Sequence, residues 1–306
     1  MKHQRYITAY GITKPPMGKV FKWKMKNLFS KRRPRVSDDD FKLQVHPLTQ
    51  KDLDIKEDFI VWLGHASFYI QLDGVKILTD PIFGDITMIP RLAAFPIDPK
   101  ELKPDIVLVS HGHYDHLDLK SLQKLDIYKK NIKVIMPSNL SFYLKKGANV
   151  EELGWYDKTE IEDVAIWALP ASHWHRRGLF DFNRALWCSF MIRSKNKTIF
   201  FAGDTAFDKH FAEIHKNFIS IDIALMPIGA YKPQEVMKSN HLNPEEALRA
   251  SEVLDAKSMI PYHYGTFKLS DEPVGEPHRW ISELALKSKI KINVLDVGEI
   301  LILDKR

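Results

Sequence analysis

Ser110-His111-Gly112-His113-Tyr114-Asp115-His116 is the stretch on which the reading of this chain turns. It follows the apolar run Ile106–Val109, which reads as a buried strand. The histidine cluster therefore occupies the loop at that strand's carboxyl end, where open α/β sheets place their ligands. In an extended loop His111 and His113 point to one side. Asp115 and His116, adjacent in the following turn, splay apart. One loop can thus offer two ligands to each of two metal ions. Gly112 lets the backbone pass close to them without a side chain. Imidazole and carboxylate suit zinc and neighbouring transition metals. The residue order does not fit a Ser-His-Asp triad.

The 306 residues suffice for one large domain or two modest ones, and 44% hydrophobic content is ordinary for a soluble protein. One cysteine, Cys188, excludes an intrachain disulfide and a cysteine-rich zinc site, and suits a reducing, cytoplasmic compartment. No run approaches the ~18 apolar residues of a membrane span. The N-terminus lacks the apolar core of a secretory signal. A net charge of +6 favours anionic partners such as phospholipid surfaces. No separate nucleic-acid module is visible.

Residues 1–45 form a basic N-terminal extension, rich in Lys, Arg and aromatics and broken by Pro15-Pro16 and Pro34. Phe21-Lys22-Trp23-Lys24-Met25-Lys26 alternates apolar and basic, which fits an extended ribbon better than a helix. Its composition suits a peripheral membrane contact, or a solvated tail whose aromatics tuck against the domain.

Residues 46–306 read as the catalytic domain. Phe59–Leu63, Ser67–Leu72 and Val75–Leu78 are expected strands, with Asp73-Gly74 as a hairpin turn. A long loop, Phe83–Pro104, precedes the strand Ile106–Val109. A helix near Leu117–Leu125, the strand Val134–Met136 and a helix near Leu140–Lys146 follow. A second set runs Val164–Leu169, Leu186–Ile192 and Thr198–Phe201 as strands. After it come a helix near Phe207–Phe218 and the strand Ile221–Pro227. Asn243 caps a helix with Pro244 at its first position. Met259–Tyr262, a helix over Pro277–Lys289 and a pair of short strands in Ile292–Leu303 complete the chain. Strands first and βα units after, twice over, predict two sheets packed face to face with helices outside: an α/β, four-layer αββα sandwich.

His173, Asp204 and His263 each follow an expected strand, in the order one shared site would require. Together with His111-x-His113-x-Asp115-His116 they resemble the metallo-β-lactamase superfamily. Within it, several motifs are similar to the family of N-acylphosphatidylethanolamine-hydrolysing phospholipases D. These are Trp62-Leu63-Gly64-His65-Ala66, Ser110–Leu117, His173-Trp174, Leu186-Trp187 and Phe201-Ala202-Gly203-Asp204-Thr205. Ile228-Gly229-Ala230-Tyr231, His241-x-x-Pro244-Glu245-Glu246-Ala247 and Gly265-Thr266-Phe267 add to them.

The resemblance implies two zinc ions, with manganese or iron able to fill the same ligands. His111, His113 and His173 would hold one ion, Asp115, His116 and His263 the other, and Asp204 would bridge them. A net positive pocket prefers a phosphodiester to a neutral substrate. Asp115, Asp204 and His241 are the expected catalytic residues, and His241, His65 and Trp174 the expected substrate contacts, His65 either lining the site or packing under it. His241 would stand near the substrate phosphate. Trp174, Trp187 and the Phe83–Pro104 loop would line an acyl groove or a smaller pocket. From the residues themselves, Asp80 would either orient a ligand histidine or simply end its strand before Pro81. Arg176 and Arg177 are phosphate contacts or surface charge. The implied activity is hydrolysis of an N-acylphosphatidylethanolamine to phosphatidic acid and N-acylethanolamine, and the implied assembly a homodimer. A lactonase or sugar-phosphate hydrolase is the rival reading.

Overall fold

A computed structural model describes residues 5, 6, 18, 19, 22, 23, 25, 40–87 and 89–304. Two sheets of seven strands carry the fold. In the first, β1 (Phe59–Trp62), β2 (Phe68–Leu72) and β3 (Val75–Thr79) form an antiparallel meander. β4 (Ile106–Leu108), β5 (Lys133–Pro137) and β6 (Asn149–Leu153) then add in parallel. The second sheet repeats the plan. β7 (Lys158–Ile161), β8 (Val164–Leu169), β9 (Ser189–Arg193) and β10 (Thr198–Phe201) are antiparallel. β11 (Ile223–Pro227), β12 (Ser258–Tyr262) and β13 (Lys291–Ile292) continue in parallel. β14 (Ile300–Ile302) returns to pair with β1.

The main core lies between the sheets, where Ile60, Ile70, Ile77 and Leu108 belong to one cluster with Ile166, Phe190, Ile192 and Phe200. β1, β2, β4, β10 and β11 are buried along their whole length, the mark of strands covered on both faces. Outside the first sheet, Leu122 of α1 (Leu119–Lys124) packs with Val107, Val134 and Met136. Outside the second lie α2 (His210–Asn217), the short α3 (Gln234–Met237), α4 (Pro244–Val253) and α5 (Glu276–Ala285). Asn243 caps α4 in a reciprocal box with Glu246, and Pro244 stands at its first position. The arrangement is the expected four-layer αββα sandwich.

Several local expectations fail for physical reasons. β6 and β7 escape the apolar pattern because each is an edge strand, and Glu151, Glu152, Lys158 and Glu160 protect those edges with charge. The helix expected near Leu140–Lys146 is one 3-10 turn, Ser141–Tyr143, since Leu144 is already extended on the way to β6. The last two strands do not pair with each other but finish different sheets. Most of residues 1–45 lies outside the described residues. Gly18, Lys19, Lys22, Trp23 and Met25 are helical, against the extended reading of that stretch. The Trp23 indole donates to Asp271 Oδ2 at 2.8 Å, a tertiary anchor of the kind that overrides local pattern. Leu43 and Val45 pack on the core, and Val45 bridges to Val297. No helix among the described residues is long and apolar enough to cross a membrane.

Candidate metal centre

The turns after β4, β8, β10 and β12 converge at one edge of the sandwich and bring all seven expected ligands together. His111 Nε2 lies 2.9 Å from His113 Nδ1, which lies 3.1 Å from His173 Nε2. Beside this trio, Asp115 Oδ2 is 3.5 Å from His116 Nε2 and 3.6 Å from His263 Nε2. Asp204 stands between the groups. Its Oδ2 is 3.2 Å from His116 Nε2 and 3.9 Å from His111 Nε2, and its Oδ1 is 3.2 Å from His263 Nε2. Zinc–nitrogen bonds of about 2.0–2.1 Å give a tetrahedron edge of roughly 3.3 Å, close to these separations.

The donor set fits cations better than it fits its own hydrogen bonds. His116 Nε2, His263 Nε2 and Asp204 Oδ1 are buried without a hydrogen-bond partner, a costly state for polar atoms. Burial pushes His113 down to about 3, and drives His111 and His173 well below the usual histidine range, helped by their neighbours. Three neutral imidazoles thus face one point. Burial opposes charge on Asp115 and Asp204 too, yet His116 holds both well below the ordinary carboxylate range. Burial likewise opposes charge on His116 and His263, but Asp204 and Asp115 outweigh it, raising His116 well above its ordinary value and His263 to about 9. Where no metal is bound, protons balance the two carboxylates, and a metal ion would displace them.

Second contacts fix which nitrogen each ring offers. Asp80, fully buried, accepts from Ser110 N at 2.6 Å, Ser110 Oγ at 2.6 Å and His116 Nδ1 at 2.7 Å. When a metal displaces the second proton, His116 would keep the one on Nδ1 and present a bare Nε2. Ser110 Oγ, having given its proton to Asp80, accepts from His111 Nδ1 at 3.0 Å. His173 Nδ1 donates to the Asn240 carbonyl at 3.0 Å. Asp80 therefore stands where a histidine-orienting residue was expected.

The expected substrate contacts divide. His241 lines the open side of the centre, its Nδ1 3.7 Å from Asp204 Oδ2, and burial pushes it down to about 4. Trp174 lines the same cavity. His65 does not: it is 1% exposed, and its Nε2 sits 3.2 Å from Asp115 Oδ2, behind that ligand. The turn after β1 holds it there, with φ 53° at His65 and its amide donating to Thr266 Oγ1. Trp187 is buried, its indole donating to the Ala171 carbonyl. Arg177 turns away from the cavity. Its Nη1 donates to the carbonyls of Gly112 (3.1 Å) and Leu117 (2.8 Å), and its guanidinium lies 4.2 Å over the Tyr114 ring. It clamps the metal loop near both ends. His175 also faces away, packed under Gly112, where a Cβ would fall on its ring. His175 and Leu140 thus leave no room for a side chain at position 112.

Above the centre opens a cavity of about 670 Å³. Its floor includes His113, Asp115, Asp204 and His241, and its walls Trp23, Ile86, Ile89, Trp174, Val236 and Met237. Trp23 and the α3 residues carried no sequence signal of this role. Ile86 and Ile89 come from the long loop expected to contribute.

Residues 75–264 match the family model described as a beta-lactamase superfamily domain. The chain is 35% identical over 291 residues to the N-acyl-phosphatidylethanolamine-hydrolyzing phospholipase D 1 of Caenorhabditis elegans, covering 85% of this chain and 80% of that one. It is 39% identical over 239 residues to the mitochondrial N-acyl-phosphatidylethanolamine-hydrolyzing phospholipase D of Saccharomyces cerevisiae, covering 73% of this chain but 51% of that one. Among solved structures, Igni18, a metallo hydrolase from Ignicoccus hospitalis, superposes with a TM-score of 0.62 at 22% identity over 81% of this chain and 99% of its own. That likeness speaks to fold alone.

Proposed function

This chain belongs to the metallo-β-lactamase superfamily as a metal-dependent hydrolase, and on that premise we propose that it is a phospholipase D-type phosphodiesterase. Its substrate would be an N-acylphosphatidylethanolamine, and its products phosphatidic acid and an N-acylethanolamine. One observation carries the reading: an apolar chamber stands directly on a polar, metal-binding floor. A glycerophospholipid has the same division, with acyl chains on one side of a phosphodiester. The chamber lies within the ~300–1,000 Å³ of small-molecule sites. The names of the worm and yeast relatives support the same substrate class.

His111, His113 and His173 would hold one zinc ion, Asp115, His116 and His263 a second, and Asp204 would touch both. When bound, such ions neutralise phosphate charge and lower the pKa of water so that it can act as a nucleophile near neutral pH. The chain's own groups do the rest. Asp80, Ser110 and the Asn240 carbonyl keep three imidazoles in the one tautomer that can ligate. His65 steadies Asp115 from behind. His241, in the floor and pushed by burial down to about 4, would donate a hydrogen bond from a ring N–H to a phosphate oxygen. Trp174 and the aliphatic walls would exclude water and seat an acyl chain.

The test is hydrolysis of N-acylphosphatidylethanolamine in mixed micelles in ¹⁸O-labelled water. Attack at phosphorus puts the label in phosphatidic acid and leaves the N-acylethanolamine unlabelled. Label in the alcohol would refute attack at phosphorus. Opening of simple lactones, with no product from any phospholipid, would overturn the substrate assignment.

A further inference from the structure

Beside the cavity mouth the chain holds large apolar side chains out in solvent. The segment after His173 runs from Trp174, in the cavity wall and facing Phe182, to a tip at Gly178-Leu179-Phe180. Leu179 and Phe180 are each 78% exposed. The tip is closed at its base: Asp181 accepts from the amides of Arg177 at 3.2 Å and Gly178 at 2.6 Å. Tyr143 Oη donates to Asp181 Oδ2 at 2.5 Å and contacts His175 Nε2 at 3.0 Å. That bond ties the tip to the neighbouring turn Ser141–Tyr143, which carries Phe142, 84% exposed. Phe142, Asp181 and Arg184 line a common cavity of about 410 Å³, so the turn and the tip share one face.

Such exposure is unfavourable in water, and a slack loop would fold these side chains inward. Here polar bonds at the base of the tip hold them outward. Exposed Lys145, Lys146 and Arg184 flank them. Glu152 and Asp181 share the face, but each carboxylate is engaged by backbone amides, Glu152 by those of Asn139 and Ser141 and Asp181 by those of Arg177 and Gly178. Apolar tips with exposed cations beside them match the boundary between the headgroups and acyl chains of an anionic bilayer. Their position matters equally. Tyr114 lines the metal cavity and donates its hydroxyl to the Arg177 carbonyl, so the tip stands at the cavity's rim.

We propose that this face docks the enzyme on anionic phospholipid membranes, with Phe142, Leu179 and Phe180 entering the bilayer and the cavity mouth brought to its surface. The inference deepens the phospholipid reading and rests on it for its purpose. Its three apolar side chains belong to the folded domain, and Tyr6 of the N-terminal extension reaches the same face, its amide donating to the Asn183 carbonyl at 2.8 Å and its hydroxyl accepting from Asn139 Nδ2 at 3.0 Å.

The experiment is co-sedimentation of the metal-loaded full chain with phosphatidylcholine vesicles, with and without phosphatidylglycerol. The wild type should bind the anionic vesicles, and raised salt should weaken that binding. Leu179→Ser and Phe180→Ser should each lower partition about tenfold, and the triple variant with Phe142→Ser should abolish it. Metal content, melting temperature and turnover of soluble bis-p-nitrophenyl phosphate should not change, since none of the three residues lines the metal cavity. Binding by the triple variant equal to wild type overturns the proposal. So does a concentration-dependent dimer that the same substitutions dissolve, with no vesicle affinity, which would make the face an interface between copies. Vesicle binding lost as expected in an enzyme that cleaves no phospholipid leaves docking intact and refutes the substrate reading instead.

Discussion

Asp80→Asn isolates the tautomer argument. Wild-type Asp80 is an acceptor for three donors, the Ser110 amide, the Ser110 hydroxyl and His116 Nδ1, all within 2.7 Å. Asparagine keeps one acceptor oxygen and brings an NH₂ that needs acceptors itself. If the oxygen stays on the Ser110 amide, the NH₂ faces His116. The ring must then accept at Nδ1 and carry its proton on Nε2, the atom that should meet the metal. Restoring the ligating tautomer leaves two donors facing each other in a fully buried place. An unsatisfied buried donor costs about 1–3 kcal/mol. At about 1.4 kcal/mol per tenfold that is a loss of roughly 10- to 100-fold in metal affinity, the range found for outer partners of metal-binding histidines. The loss should fall on the site of His116 and be smaller at the site of His111, His113 and His173. Competition with a chromophoric chelator reads both steps, and circular dichroism checks that the fold survives. Affinities within about threefold of wild type at both sites would refute the claim that Asp80 sets the tautomer.

Undialysed protein should carry close to two metal equivalents per chain by elemental analysis, and Asp204→Asn should weaken both sites, because that carboxylate touches both ligand groups. Arg177→Met removes two charge-assisted bonds to the metal loop; allowing for its partial exposure, the loss is roughly 2 kcal/mol, seen as faster metal release to chelator. Trp23→Ala should lower kcat/KM on long-chain phospholipid while leaving bis-p-nitrophenyl phosphate turnover unchanged, since Trp23 lines the wall and not the floor. His210 is pushed by burial to about 3 from its ordinary 6.5, so the unfolded chain takes up that proton first. Stability should therefore fall as pH drops from 6.5 towards 3, by up to about 1.4 kcal/mol per unit, and His210→Gln should lower the acid-unfolding midpoint.

The parts of the site that were legible in the sequence share a cause. Each candidate ligand is a side chain whose chemistry is its identity, and each follows an apolar strand that can be seen in the pattern, as Asp204 follows Thr198–Phe201 and His263 follows Met259–Tyr262. The fold was legible for the same reason, wherever a strand is buried on both faces. β6 and β7 were not, because an edge strand that must repel other edges is written in Lys and Glu, as a loop is. What orients the ligands was legible only for Asp80. His173 is held by the carbonyl of Asn240, an atom that every residue has, so no residue type could announce it. Arg177 looked like surface charge, because nothing local says that its partners lie some sixty residues upstream on the metal loop. Gly112 shows the limit most sharply. Its smallness was read from the metals alone. A group that needs the space is His175, which packs against the far side of the loop. With Tyr143 on its Nε2, His175 fixes the back of the metal loop while Arg177 fixes its ends. A glycine in a metal-binding motif can therefore be required by the wall behind the loop as strictly as by the ion in front of it.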